Sequence, residues 1–114
     1  MAVSFDVIKQ YCLSRPGAYE DYPFGTEPVA YKSGNKIFAL VVVKSGKIHL
    51  SLKCDHYVSE TLHHQYPAVQ TDFFLNEEDW NTVVIDGSVP DSEIKWMIDH
   101  SYELVLKELK TVKE

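Results

Sequence analysis

Apolar residues recur along this chain at two spacings, one helical and one alternating. Over residues 4–14 the spacing is helical: Phe5, Ile8 and Cys12 share a face, which Val7 and Tyr11 widen. Ser4 stands where an N-cap side chain accepts a backbone N–H, Asp6 sits near the positive end of the helix dipole, and Pro16-Gly17 ends the run. Residues 18–28, AYEDYPFGTEP, are rich in turn formers, yet Tyr19, Tyr22 and Phe24 give them apolar area to bury. An ordered loop is expected there.

The pattern then switches to a period of two. Strands are predicted at 29–32, 36–44 and 47–53, separated by Ser33-Gly34-Asn35 and by Ser45-Gly46. The third alternates cleanly, with Ile48, Leu50 and Leu52 on one side and Lys47, His49, Ser51 and Lys53 on the other. The second is apolar on both sides, as in a central strand. A two-residue turn at Ser45-Gly46 predicts a hairpin, although Ser-Gly suits it less well than Asn-Gly. Its register would set Lys44 opposite Lys47, Val42 opposite His49 and Leu40 opposite Ser51. The sheet face away from the helices would then mix Phe38, Leu40 and Val42 with basic groups.

A second helix is predicted over 55–66, with Asp55 as N-cap, Pro67 as stop, and Val58, Leu62 and Tyr66 as its stripe. The stretch FFLNEEDWNTVVIDG, residues 73–87, holds two short strands, about 73–76 and 80–85, and a turn at Asp86-Gly87. Ser88 or Asp91 would cap a last helix running to about Leu109, with Ile94, Met97, Ile98, Ser101, Val105 and Leu109 on its buried side. The order α-β-β-β-α-β-β-α predicts an α+β fold: a two-layer sandwich with an antiparallel sheet and the helices largely on one face.

Composition changes this picture little, and charge changes it more. The 114 residues, 45% of them hydrophobic, fit one domain, 1–114, with one core. No apolar run approaches the roughly 18 residues of a membrane span, and the N-terminus lacks a signal-peptide pattern, so a cytoplasmic protein is expected. Cys12 and Cys54 then read as buried thiols. The net charge of −6 argues against a general polyanion binder. However, Lys32, Lys36, Lys44, Lys47 and Lys53 lie in a segment without Asp or Glu, so the rest carries −11. A local basic surface on an acidic protein is therefore expected.

Candidate chemistry is sparse. His56, Glu60 and His63 or His64 fall near one helical face, but no HExxH or CxxC accompanies them, and a solvated face is the simpler reading. Cys54, at a strand end leading into a helix, sits where a thiol can be activated, yet no histidine is fixed beside it. The adjacent acids Glu20-Asp21 and Glu77-Glu78 read as solvated loop residues. With no P-loop and no GxGxxG, neither catalysis nor a metal or cofactor is expected. Lysine-bearing hairpins with interleaved aromatics could instead place ammonium groups on phosphates and a polar side chain on a base edge.

Several collinear blocks resemble the YjbR/MmcQ family of small bacterial proteins. They are Pro16-Gly17-Ala18 with Glu20-Asp21-Tyr22-Pro23-Phe24-Gly25; Lys36-Ile37-Phe38-Ala39-Leu40; Leu52-Lys53-Cys54-Asp55; Tyr66-Pro67-Ala68-Val69; Leu75-Asn76 with Trp80-Asn81-Thr82-Val83; Asp86-Gly87; and Ser101-Tyr102-Glu103-Leu104-Val105. The resemblance implies a two-layer fold like that of frataxin-type (CyaY-like) domains, and DNA binding through two projecting β-hairpins. Where family members carry a histidine and basic residues, this chain has Phe74 and Glu77-Glu78-Asp79, and an acidic turn repels phosphate. The expected DNA contacts are therefore Lys36, Lys44, Lys47, His49 and Lys53 of the hairpin, with Trp80 and Asn81. The alternative is a non-catalytic module that binds a protein partner or small ligand with its open sheet face or the 18–28 loop.

Overall fold

The computed structural model describes residues 4–71 and 80–112. Helix α1 spans Phe5–Leu13, and the Ser4 hydroxyl accepts the Val7 N–H at 3.2 Å, as its sequence position predicts. Ile8 and Cys12, one turn apart, are its buried residues. The strands that follow are β1 (Ala18–Asp21), β2 (Val29–Ser33), β3 (Lys36–Lys44) and β4 (Lys47–Lys53). Helix α2 (His56–Gln65) is capped by Asp55, whose carboxylate accepts the Tyr57 N–H at 3.0 Å. Strands β5 (Val69–Thr71) and β6 (Trp80–Ile85) lead into helix α3 (Asp91–Val112).

The strands form one six-stranded sheet in the order β1-β2-β3-β4-β6-β5, antiparallel throughout. All three helices contribute to a single core against one face of it. Ile8 and Cys12 of α1, Leu62 of α2 and Ile94, Met97, Ile98 and Val105 of α3 meet Val29, Tyr31, Val41, Leu50 and Val83 of the sheet. This is the α+β two-layer arrangement that the sequence predicts. Among the described residues no helix is long and apolar enough to cross a membrane.

Several local expectations are corrected. Residues 18–21, expected within a loop, form edge strand β1, with Ala18 opposite Ser33 and Asp21 opposite Ala30. That strand is short and only part-buried, so its evidence is the partner strand and not its own periodicity. Residues 69–71 also form a strand, while the predicted strand at 73–76 lies outside the described residues. Neither Ser88 nor Asp91 is the N-cap of α3: the helix begins at Asp91 itself, the Pro90 carbonyl accepts the Ile94 N–H at 3.1 Å, and the Ser88 hydroxyl donates to Asp86 Oδ1 at 2.6 Å. Finally, Phe38 is not on the face away from the helices. Tyr31 pairs with Ala39 but Lys32 with Ile37, so a bulge gives β3 one extra residue. The Phe38 ring packs edge-on against Tyr102 of α3, centroids 5.4 Å apart. Nor is that far face open at its centre, where Ala30, Leu40, Val42, Ser51 and Thr82 are buried.

The central hairpin matches its predicted register: Lys44 is opposite Lys47, Val42 opposite His49, and Leu40 opposite Ser51. Ser45 (φ 53°) and Gly46 (φ 76°) both take the left-handed conformation of a type I′ turn, which fits the twist of the flanking strands. At the opposite end of this hairpin α3 is riveted to the sheet. The fully buried Ser101 hydroxyl donates to the Phe38 carbonyl at 2.6 Å and accepts the Lys53 N–H at 2.9 Å.

Candidate functional site

The lysines that sequence reasoning gathered on one surface divide between two ends of the hairpin. Lys44 and Lys47 face each other at the exposed tip. Lys36 begins β3, eight residues from Lys44, or ~26 Å along the strand. Lys53, at that same far end, turns its amine onto the Glu108 carboxylate of α3. Lys32 is tied to Asp21 at 3.2 Å. The His49 ring nitrogen Nδ1 lies 3.1 Å from the Lys47 carbonyl. Trp80 and Asn81 are both buried, at 5% and 4% exposure. Of the seven expected DNA contacts, the structure thus brings together Lys44, Lys47 and His49. Lys53 reaches an acid 55 residues away in sequence, which hairpin spacing could not reveal.

Asn81 has a different environment from the one expected. Its Oδ1 accepts the Ser59 hydroxyl at 3.0 Å and lies 2.8 Å from His63 Nε2, while among the described residues its Nδ2 has no partner. Exchanging the two amide atoms would only orphan the oxygen instead. The amide borders a cavity of about 10 Å³ lined by Cys54, Leu62, Met97 and His100, room for ~one water molecule. His63 is thereby turned to Asn81, while His56 pairs with Glu60 at 3.2 Å. Among the described residues no group of three His, Cys, Asp or Glu side chains is placed to hold a metal. Cys12 and Cys54 are buried and unbridged, and burial pushes the Cys12 thiol up to about 12.

The 18–28 segment builds the more developed polar constellation. Glu20 accepts the Tyr22 hydroxyl at 2.8 Å and the Tyr31 hydroxyl at 3.1 Å, and the Lys9 amine lies 3.7 Å away. Those bonds, the Tyr22 hydroxyl foremost, hold the Glu20 carboxyl below its ordinary value. Burial, and then Glu20 itself, drive the Tyr31 phenol far above its own. Asp21 is held low by the Tyr22 N–H and then by Lys32. Around this network Phe5, Lys9, Glu20, Tyr22, Glu27 and Val42 line a cup of about 140 Å³. Tyr22 and Phe24 are half-exposed. Groups fixed in this way can recognise a ligand. Glu20 and Asp21 are engaged as ionised acceptors at neutral pH, which suits them poorly to proton transfer. The aromatic and turn-forming composition of 18–28 marked the segment in the sequence, but not the bonds to Lys9 and Tyr31.

A family model described as YjbR matches residues 13–104. The chain is 34% identical over 94 residues to the uncharacterized protein YjbR of Escherichia coli strain K12, a match covering 82% of this chain and 80% of that protein. It is 27% identical over 101 residues to the uncharacterized protein YbdF of Escherichia coli O157:H7, with 89% and 83% covered. A crystal structure of a Deinococcus radiodurans protein described by the family domain DUF419 aligns with a TM-score of 0.85 and 30% identity, over 91% of this chain and 79% of that one. A Pseudomonas syringae protein with 19% identity shares the fold, with a TM-score of 0.75 over 90% and 98% of the two chains.

Proposed function

The chain belongs to the YjbR family, and we propose that it acts within that family as a non-catalytic binding module, taking a small ligand or a partner's side chain into the 18–28 cup. The observation that carries this reading is the convergence on Glu20 of Lys9 from α1, Tyr31 from β2 and Tyr22 from the segment after β1, beside a concave surface. Pre-fixed polar groups in an otherwise apolar concavity are the usual make-up of a ligand site. A ligand-observed NMR screen of small-molecule fragments tests it. Fragments that bind the wild type should lose binding to Tyr22→Ala, whose side chain is half-exposed, and keep it with Lys44→Glu/Lys47→Glu. A hit set indifferent to Tyr22→Ala refutes the reading.

One observation favours DNA as a second ligand: Lys44 and Lys47 are paired at the exposed turn end of the β3–β4 hairpin. Two phosphate contacts give a salt slope of about −1.8, so affinity for random duplex should fall about 12-fold from 50 to 200 mM salt. Five contacts would give a fall of about 500-fold. Electrophoretic titration of the wild type and of Lys44→Glu/Lys47→Glu decides it. Binding that survives the double substitution excludes the hairpin tip.

A further inference from the structure

A groove of about 400 Å³ lies between α2 and α3, and two large aromatic side chains line it while remaining exposed. Tyr57, in the first turn of α2, is 78% exposed, and Trp96, on α3, is 48% exposed. Exposed aromatics that share one concave surface call for an explanation that scattered ones do not. The rest of the lining is Val58, Thr61, Leu62, Gln65 and Glu93.

A polar junction links the two groove walls, besides their shared core. The Asp55 carboxylate accepts the Tyr57 N–H, and the Asp55 N–H donates to His100 Nε2 at 3.1 Å. The His100 ring in turn stacks on the Trp96 indole, centroids 5.0 Å apart and planes within 9°. Because Nε2 accepts a hydrogen bond it bears no proton, so His100 is neutral and adds no positive charge beside the indole. The Trp96 indole is therefore positioned before any ligand arrives, which removes part of the ordering cost of binding, and the Tyr57 ring rests edge-on against His56, centroids 5.7 Å apart.

The charge is as specific as the shape. Among the described residues Glu93 is the one charged residue in the lining, and no ion-pair partner among them is found for it. The first turn of a helix suits a carboxylate, which accounts for Glu93 but not for the aromatics that share its groove. Aromatic faces attract cations through the ring quadrupole, and a nearby carboxylate adds to that attraction. The chain as a whole, at −6, disfavours anions. We propose that the α2–α3 groove binds a small organic cation of the alkylammonium class, its charged, apolar-coated head set between Tyr57 and Trp96 and balanced by Glu93. This site is separate from the 18–28 cup and does not depend on it.

Choline and its neutral isostere 3,3-dimethyl-1-butanol are the probes, titrated into the ¹⁵N-labelled full chain at constant ionic strength. Choline should shift the Trp96 indole N–H saturably and leave the buried Trp80 indole unmoved, and the alcohol should bind at least about 10-fold more weakly. Tyr57→Ala, which alters an exposed side chain, and Glu93→Gln should each weaken choline binding about 3- to 30-fold. Four results would overturn the site: no saturable shift, equal binding of the alcohol, a Trp80 response matching that of Trp96, or unchanged affinity in both variants.

Discussion

Ser101→Ala offers the sharpest test of how the helical layer is fastened to the sheet. The hydroxyl it removes serves two backbone groups, the Phe38 carbonyl and the Lys53 N–H, where the β3–β4 ladder ends at the Ala39–Leu52 pair. Ser101 is fully buried, so water does not readily replace the hydroxyl. An unsatisfied buried backbone group costs about 1–3 kcal/mol, and two are stranded together. The better helix propensity of alanine returns ~0.5 kcal/mol. The net loss is about 1.5–5.5 kcal/mol. At ~2.1 cal/mol/K per residue the 114-residue chain has an unfolding entropy of ~0.24 kcal/mol/K, so the midpoint should fall by ~6–23 °C. Urea unfolding followed by circular dichroism should give the same loss with an unchanged m-value. Ser92→Ala, at an exposed position on α3, is the control and should stay within about 0.5 kcal/mol. A loss below ~1 kcal/mol for Ser101→Ala would refute the idea that this hydroxyl bridges two otherwise orphaned groups.

Three further outcomes can be measured on the same instruments. Gly34→Ala should cost more than Gly46→Ala: both need positive φ, worth about 1–2 kcal/mol, but only a Cβ on Gly34 meets Leu109 methyl groups, at 3.0 Å. Acid should weaken the fold in two stages. His100, whose pKa burial depresses, contributes stability that is present above ~6.5 and is lost as pH falls below it. Glu20, also depressed, contributes stability that is full above its unfolded value of ~4.3 and is lost as pH falls through its lower folded value. Glu20→Gln should therefore flatten the lower limb of a stability–pH curve and leave the upper limb in place. Glu108→Gln removes the partner of the part-buried Lys53 amine. It should lower stability by up to about 1 kcal/mol in 50 mM salt, less in 1 M salt, and a salt-independent loss would contradict an electrostatic origin.

Where the chain signals its structure locally, the sequence was sufficient. Ser4 and Asp55 cap the helices they precede, and the two-residue turn at Ser45-Gly46 sets a register that the structure reproduces in all three expected pairs. Contacts between distant segments left no such trace. β1 exists because β2 offers it a partner, and Phe38 turns toward the helices because a bulge adds one residue. Lys53 is neutralised by Glu108, and Trp80 is buried beside it in the register. The same limit applies to function. A count of lysines along a ribbon describes charge in one dimension, whereas a cationic surface requires the amines to share one region of space. Aromatic content did mark the 18–28 segment, but its partners Lys9 and Tyr31 lie in other elements. Tyr57 and Trp96 are separated by 39 positions, and nothing local in the sequence joins them.

The hairpin closed by Ser45-Gly46 occupies the middle of the sheet, with β1 and β2 added on one side and β6 and β5 on the other. Its two strands are neighbours in sequence, so the centre of the molecule can assemble after closing a very short loop, whereas β6 must find β4 across 26 intervening residues. Such an order makes the turn an early event on the folding pathway and the outer strands late ones. A residue better suited than serine to the left-handed conformation, as in Ser45→Asn, would then accelerate folding and leave the unfolding rate nearly untouched.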